Sequence, residues 1–183
     1  MHNVIRGSKY LDVKWEDQDF ALWKQQLPFD INQTLYSKIL TALDKSVDFP
    51  IELSYNEDSA GEFISTYIVD QKLHLWPEMS EIVNWIESQF VGHHITEMWS
   101  NKTQPGGYLK AHNHAGNKYA GTIYVRVPER SGDIIMNGHC RGNIKQGDVI
   151  IFEGQVSHKT EVNKSDQDRL VIAFTLEEKN EKI

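Results

Sequence analysis

From Ile95 to Leu176 the chain is a succession of short β-type runs broken by Gly, Pro and Asn, and nothing else in it limits the fold so strongly. The runs span 95–101, 108–112, 119–127, 133–136, 149–152 and 170–176, and they are rich in Val, Ile, Tyr and Phe. Strands of this length, separated by turn residues, predict an all-β barrel or sandwich. Helices packed outside it would make a jelly roll, in which two sheets face each other and side chains near one mouth converge on a site. The predicted class is mainly β with flanking helices.

Those helices are expected upstream. Leu35, Ile39, Leu40 and Leu43 recur at helical spacing within 32–47, with Asn32 as N-cap. After Pro77, Met79, Ile82, Val83, Ile86 and Phe90 keep the same period, and Glu78 and Glu81 fall near the positive end of the helix dipole. Both stripes are suited to packing against a core. A chain of 183 residues, 39% hydrophobic and 10% aromatic, can bury one sizeable core. The expectation is a single domain, 1–183, with 1–94 as a helical support region and 95–176 as the jelly-roll core. The charged end, 177–183, is expected to fray.

Net charge and punctuation narrow the partners. A formal charge of −7 argues against a phosphate-backbone partner, which needs clustered Lys and Arg, so no nucleic acid is expected. The first twenty residues show neither an apolar leader core nor a small-residue cleavage site, and no apolar run reaches the roughly 18 residues of a membrane span. No membrane partner and a cytoplasmic location are the expectation. The single cysteine, Cys140, suits a reducing compartment.

Eight histidines are present, and His2, His74, His93, His94 and His139 have no spacing that demands a metal. His112-Asn113-His114 is different. On an extended strand, residues two apart project together, so His112 and His114 can offer two imidazoles to one ion, or else simply decorate a solvent face. The Pro105-Gly106-Gly107 turn precedes them. Downstream, Gly147-Asp148 opens the buried run Val149-Ile150-Ile151-Phe152, and the turn at Gly154 brings His158 back toward the barrel mouth. Three neutral ligands on one side of an octahedral ion leave positions open for oxygen chemistry. Eleven residues further on, Arg169 can donate two parallel hydrogen bonds to a carboxylate, or pair with Asp166 or Asp168 at the surface.

The order of these pieces resembles the iron(II)- and 2-oxoglutarate-dependent oxygenases, and most closely the small oxygenase-like proteins of phages and marine bacteria. The resemblance runs through Trp99-Ser100-Asn101, Pro105-Gly106-Gly107-Tyr108, His112-Asn113-His114, Gly121-Thr122-Ile123-Tyr124-Val125, Ser131-Gly132, Gly147 to Phe152, His158 and Arg169 to Phe174. It implies a double-stranded β-helix, His112 and His158 as metal ligands, and Arg169 as the anchor of the distal carboxylate of 2-oxoglutarate. If the protein is phage-encoded, its location is the host cytosol. Tyr108 and Tyr124 can supply a hydroxyl, and Asn101 an amide, to the same carboxylate. The implied activity is a dioxygenase hydroxylating a small molecule or a protein side chain, with succinate and carbon dioxide as co-products and ascorbate as a reductant.

Two departures stand out. The family's first motif carries Asp or Glu where this chain has His114, so either the imidazole replaces the carboxylate as third ligand or the metal has two protein ligands. Val171 stands where many members have a serine beside the arginine, and another hydroxyl must substitute. A cupin-type enzyme that does not use 2-oxoglutarate also fits three histidines on a jelly roll, but Ala115 to Tyr119 offer no carboxylate for its first motif. A non-catalytic jelly-roll binding module is the remaining alternative. The acidic balance points to a neutral or cationic substrate, whereas Lys118, Arg126 and Arg130 would suit an anionic one.

Overall fold

The computed structural model describes residues 22–46 and 63–179. The stretch inspected for a leader, His2, and residues 180–183 lie outside them, as does the expected helix end at Val47. In chain order the elements are β1 (Leu22–Gln26), α1 (Gln33–Asp44), β2 (Phe63–Ser65), α2 (Ser80–Gln89), β3 (His93–Thr103), β4 (Tyr119–Arg126), β5 (Ile134–Met136), β6 (His139–Arg141), β7 (Asp148–Glu153), β8 (His158–Thr160) and β9 (Arg169–Glu178). Short 3-10 turns at Leu73–Leu75 and Pro77–Met79 lead into α2.

Six strands form one antiparallel sheet in the order β1-β7-β4-β9-β3-β2, and three form a second in the order β6-β5-β8. Period-two alternation sorts the large sheet's side chains into two layers. On β9, Leu170, Ile172, Phe174 and Leu176 join the helices in the main core; on β7, Val149 and Ile151 do the same. Alternate positions Ile150 and Phe152 turn inward with Ala120 and Tyr124, and meet Ile134 and Met136 of the small sheet. This is the expected jelly roll with helices on one outer face.

The helices form as their sequences dictate. The Asn32 side chain accepts from the Leu35 amide at 2.8 Å, and Leu35, Ile39 and Leu43 are buried at helical spacing. In α2, Ile82 and Ile86 are buried, and the Phe90 amide closes the last turn on the Ile86 carbonyl at 3.2 Å.

The strand expectations need four corrections. Residues 108–112 are not a strand: His112 forms an isolated bridge to His158, and Leu109 accepts from the Thr160 amide at 3.0 Å, without a continuous ladder between them. The Leu22–Gln26 and Phe63–Ser65 strands both fall in the stretch expected to be helical support. β1 has a polar LWKQQ sequence, and it is extended because β7 supplies its hydrogen-bonding partner along its whole length. β6 and β8, three residues each, are too short to show a period. Finally, Glu177 and Glu178 do not fray; they end β9, where they pair with His94 and His93.

Candidate metal centre

Between the two sheets lies a cavity of about 180 Å³. His112, His114, His158, Asn101, Tyr124 and Arg169 all line it, whereas Tyr108 does not; the next residue, Leu109, takes its place. The stretch around Tyr108 is irregular, and the strand periodicity that would aim its hydroxyl inward is missing.

One potential ligand atom from each of His112, His114 and His158 lies within 4.8 Å of the others. The main chain builds this cluster. The His112 amide donates to the His158 carbonyl at 3.0 Å and the His158 amide to the His112 carbonyl at 2.9 Å, so the two residues form a hydrogen-bonded antiparallel pair. The His114 amide donates to the Gly154 carbonyl at 2.7 Å, in the turn that joins β7 to β8. Close approach there requires glycine: a Cβ at position 154 would collide with the Asn117 carbonyl oxygen and stand 2.6 Å from that of His114.

The three rings are neutral imidazoles near pH 7. His112 and His158 each place Nδ1 3.0 Å from a carbonyl oxygen, of Lys110 and Val156 respectively. A carbonyl only accepts, so Nδ1 carries the proton and the Nε2 lone pair is left for a metal. Burial lowers the His112 pKa, and the Lys110 carbonyl opposes it. Burial, with His112 nearby, takes His114 to about 4; burial, with His112 and His114, takes His158 to about 3 against the pull of the Val156 carbonyl. Three uncharged nitrogen donors converging on one point suit a divalent first-row ion. Among the described residues no other histidine joins a ligand cluster.

Arg169 is 3% exposed. Its Nη1 donates to the Gly132 carbonyl at 2.7 Å, its Nε has no partner, and it forms no ion pair among the described residues. Asp168, the surface partner considered from sequence, pairs with Arg126 at 3.7 Å instead. Burial lowers the Arg169 pKa, but a guanidinium stays charged. In the small sheet, Thr160 lies two residues beyond His158 and opposite Ile134, and Gly132 lies two before Ile134. The guanidinium is therefore displaced along the sheet from the histidines. Gly132 itself has φ +87°, and a Cβ there would stand 2.6 Å from the Glu161 carbonyl oxygen.

Register explains what surrounds the arginine. Val171 lies opposite Asn101 on β3 and opposite Tyr124 on β4, and Ser65 lies opposite Asn101 on β2. Directly opposed residues share a face, so the row Ser65, Asn101, Val171, Tyr124 looks into the cavity. The Ser65 hydroxyl donates to the Asn101 carbonyl oxygen at 2.6 Å, leaving the amide nitrogen as the donor end. Burial raises the Tyr124 pKa and the Arg169 charge opposes the rise, so the phenol is neutral. Tyr124 thus places a neutral hydroxyl beside Val171.

Sequence reasoning missed part of the wall. Ser65, Tyr67 and Thr160 line the cavity, yet their segments are short and carry no periodic signal. Conversely, Lys118, Arg126 and Arg130 do not line it: Lys118 pairs with Glu178 at 3.2 Å, and Arg126 donates to the Tyr36 hydroxyl at 3.0 Å.

A family described as Putative 2OG-Fe(II) oxygenase matches residues 97–144, which include His112, His114, Asn101 and Tyr124 but neither His158 nor Arg169. Among solved structures, a Pseudomonas putida prolyl-4-hydroxylase is 12% identical with a TM-score of 0.59, covering 88% of this chain and 95% of its own. An oxidoreductase of the 2OG-Fe(II) oxygenase family from Burkholderia pseudomallei is 13% identical with a TM-score of 0.55, covering 86% of both chains. The viral collagen prolyl hydroxylase of Paramecium bursaria Chlorella virus-1, solved as a 2OG complex, is 12% identical with a TM-score of 0.56 over 85% of this chain and 94% of its own. No curated protein matches the chain. At these identities the structural likeness is one of fold, the double-stranded β-helix, and the sequence match adds the segment that carries two of the three clustered histidines. Over residues 97–144 the chain is thus similar to the iron(II)- and 2-oxoglutarate-dependent oxygenases, and its fold is the one that these solved structures share.

Proposed function

We propose that the protein is a dioxygenase that hydroxylates a small molecule or a protein side chain, with His112, His114 and His158 holding iron(II) and Arg169 holding the distal carboxylate of 2-oxoglutarate. One observation carries this reading. A guanidinium 3% exposed, with an unpartnered Nε and no ion pair among the described residues, shares a cavity with three neutral imidazoles. A buried cation without an anion is costly unless a ligand completes it. A dicarboxylate that chelates a metal at one end and meets the guanidinium at the other satisfies both features.

The bound iron and 2-oxoglutarate supply oxidation of a substrate C–H bond by dioxygen, with succinate and carbon dioxide as co-products. The chain supplies placement. His112 and His158 are oriented by their Nδ1–H donations, and His114 completes the face in the position where the family has a carboxylate. Arg169 gives charge and direction, Tyr124 a neutral hydroxyl, and Asn101 an amide donor on the same sheet face. Ile134 and Phe152 give the cavity apolar wall.

The test combines binding and turnover. Anaerobic iron(II)-loaded protein should develop a visible charge-transfer band on addition of 2-oxoglutarate, and with oxygen and ascorbate it should release succinate. His158→Ala should abolish the band through loss of metal. Arg169→Ala should retain the metal and weaken 2-oxoglutarate binding by a factor on the order of 100, the range for losing one partner of a desolvated charge pair. A wild-type band that never forms, or variants that behave as wild type, would overturn the proposal.

A further inference from the structure

We infer that the substrate presents an uncharged, apolar-faced group to the site, held against a wall formed by Tyr67 and Trp99. The inference rests on the 2-oxoglutarate reading above and extends it to substrate class. Trp99 is 5% exposed and packs its ring 5.6 Å from that of His114. Tyr67, 37% exposed, meets Trp99 edge-on at 5.0 Å. An aromatic ladder thus runs from the surface to a metal-site histidine, and both rings line the cavity.

At the outer end of this ladder, Tyr67, Ile68 and Val69 are 37%, 54% and 49% exposed, three consecutive apolar side chains on one turn. The turn is not loose. The Val69 and Asp70 amides donate to the Thr66 carbonyl at 2.9 and 2.6 Å, and the Thr66 hydroxyl donates to the Asp70 carbonyl at 3.1 Å. The Tyr67 amide donates to the Ser65 hydroxyl at 3.1 Å, and that hydroxyl donates to Asn101 inside the cavity. A rigid base with an apolar tip beside a cavity mouth is suited to receive apolar surface.

Charge disfavours a cation, and an anion has no partner of its own in the wall. Among the described residues lining the cavity there is no Asp, Glu or Lys. Three neutral imidazoles leave the iron a dication, 2-oxoglutarate brings two negative charges, and Arg169 adds one positive charge. The loaded site is therefore net positive, which disfavours an ammonium group. Among the described lining residues a carboxylate finds no cationic side chain other than Arg169, which 2-oxoglutarate engages. The reacting part of the substrate is left to bind by apolar contact.

The test uses full-length protein loaded with zinc and 2-oxoglutarate, which holds the charges without turnover, and three probes that share one ring: benzyl alcohol, benzylamine and benzoate. Saturation-transfer NMR titrations should rank the alcohol above both ions. Tyr67→Ala should weaken alcohol binding about three- to tenfold, the range for one aromatic contact, and Tyr67→Phe should restore it. 2-Oxoglutarate affinity, measured calorimetrically in the same samples, should be unchanged by either variant. If 2-oxoglutarate fails to bind the wild type, the functional reading falls and this inference with it. If it binds while benzylamine or benzoate equals the alcohol, or Tyr67→Ala has no effect, only the substrate class is overturned.

Discussion

His112 and His158 are locked together through their main chains: each amide donates to the other's carbonyl, at 3.0 and 2.9 Å, and their ring centroids lie 4.2 Å apart. Two of the proposed ligands are thereby placed by backbone geometry before a metal contributes anything. The third, His114, is placed by a different segment, through Gly154.

Whether all three bind is measurable. His112→Ala, His114→Ala and His158→Ala should each lower iron retention by at least about tenfold, because losing a ligand weakens a site no less than losing a ligand's own hydrogen-bond partner does. Metal analysis after dialysis reads the effect. His114→Ala alone leaving iron retention at the wild-type level would make the centre a two-histidine site.

Gly154→Ala tests the segment rather than the ligand. The added Cβ collides with the Asn117 carbonyl and crowds that of His114, so the loop must shift. The expected outcome is a folded protein destabilised by about 1–3 kcal/mol, the usual range for overpacking, with a larger loss of zinc affinity than of stability. Denaturant unfolding and zinc titration together separate the two.

Arg169→Met should make metal-free protein no less stable, and more stable by as much as about 4 kcal/mol, since an apolar side chain of similar length replaces a buried cation that has no carboxylate partner among the described residues. The same substitution should weaken 2-oxoglutarate binding by a factor on the order of 100, as Arg169→Ala does. A variant less stable than wild type would show that the Gly132 hydrogen bond outweighs the desolvation it accompanies.

The histidine cluster sets a pH dependence. Burial holds His114 near 4 and His158 near 3 in the folded chain, against 6.5 for a free imidazole, so between these values the unfolded chain binds more protons. Stability of metal-free protein is therefore full above about pH 6.5 and falls as the solution is acidified toward 4, by about 1.4 kcal/mol per pH unit for each histidine fully protonated only when unfolded. Chemical denaturation at pH 7, 6 and 5 measures the slope, and His158→Gln should reduce it.

Legibility from sequence followed the strength of periodic signals. α1 and α2 were visible because buried positions recur every three or four residues and Asn32 caps the first helix. The long strands β3, β4, β7 and β9 were visible as β-branched and aromatic runs. β1, β6 and β8 were not, because three to five residues cannot establish a period and their extension depends on a partner strand. The expected strand at 108–112 failed for the converse reason. It touches β8 only at the His112 bridge and where Leu109 exchanges hydrogen bonds with the Thr160 amide and hydroxyl, which is too little to make a continuous ladder.

The sequence alone determined the kinds of chemistry available: imidazoles at 112, 114 and 158, a guanidinium at 169, and the succession of strands that resembles an iron(II)- and 2-oxoglutarate-dependent oxygenase. These are properties of residue type and order. Which groups meet was decided only in three dimensions. Sheet register set Asn101, Val171 and Tyr124 in one row, and a bridge between residues 46 positions apart joined His112 to His158. Tyr67 reached the cavity and Tyr108 did not, because cross-strand pairing and turn closure assign each side chain to a face, and neither is written in any local stretch of chain.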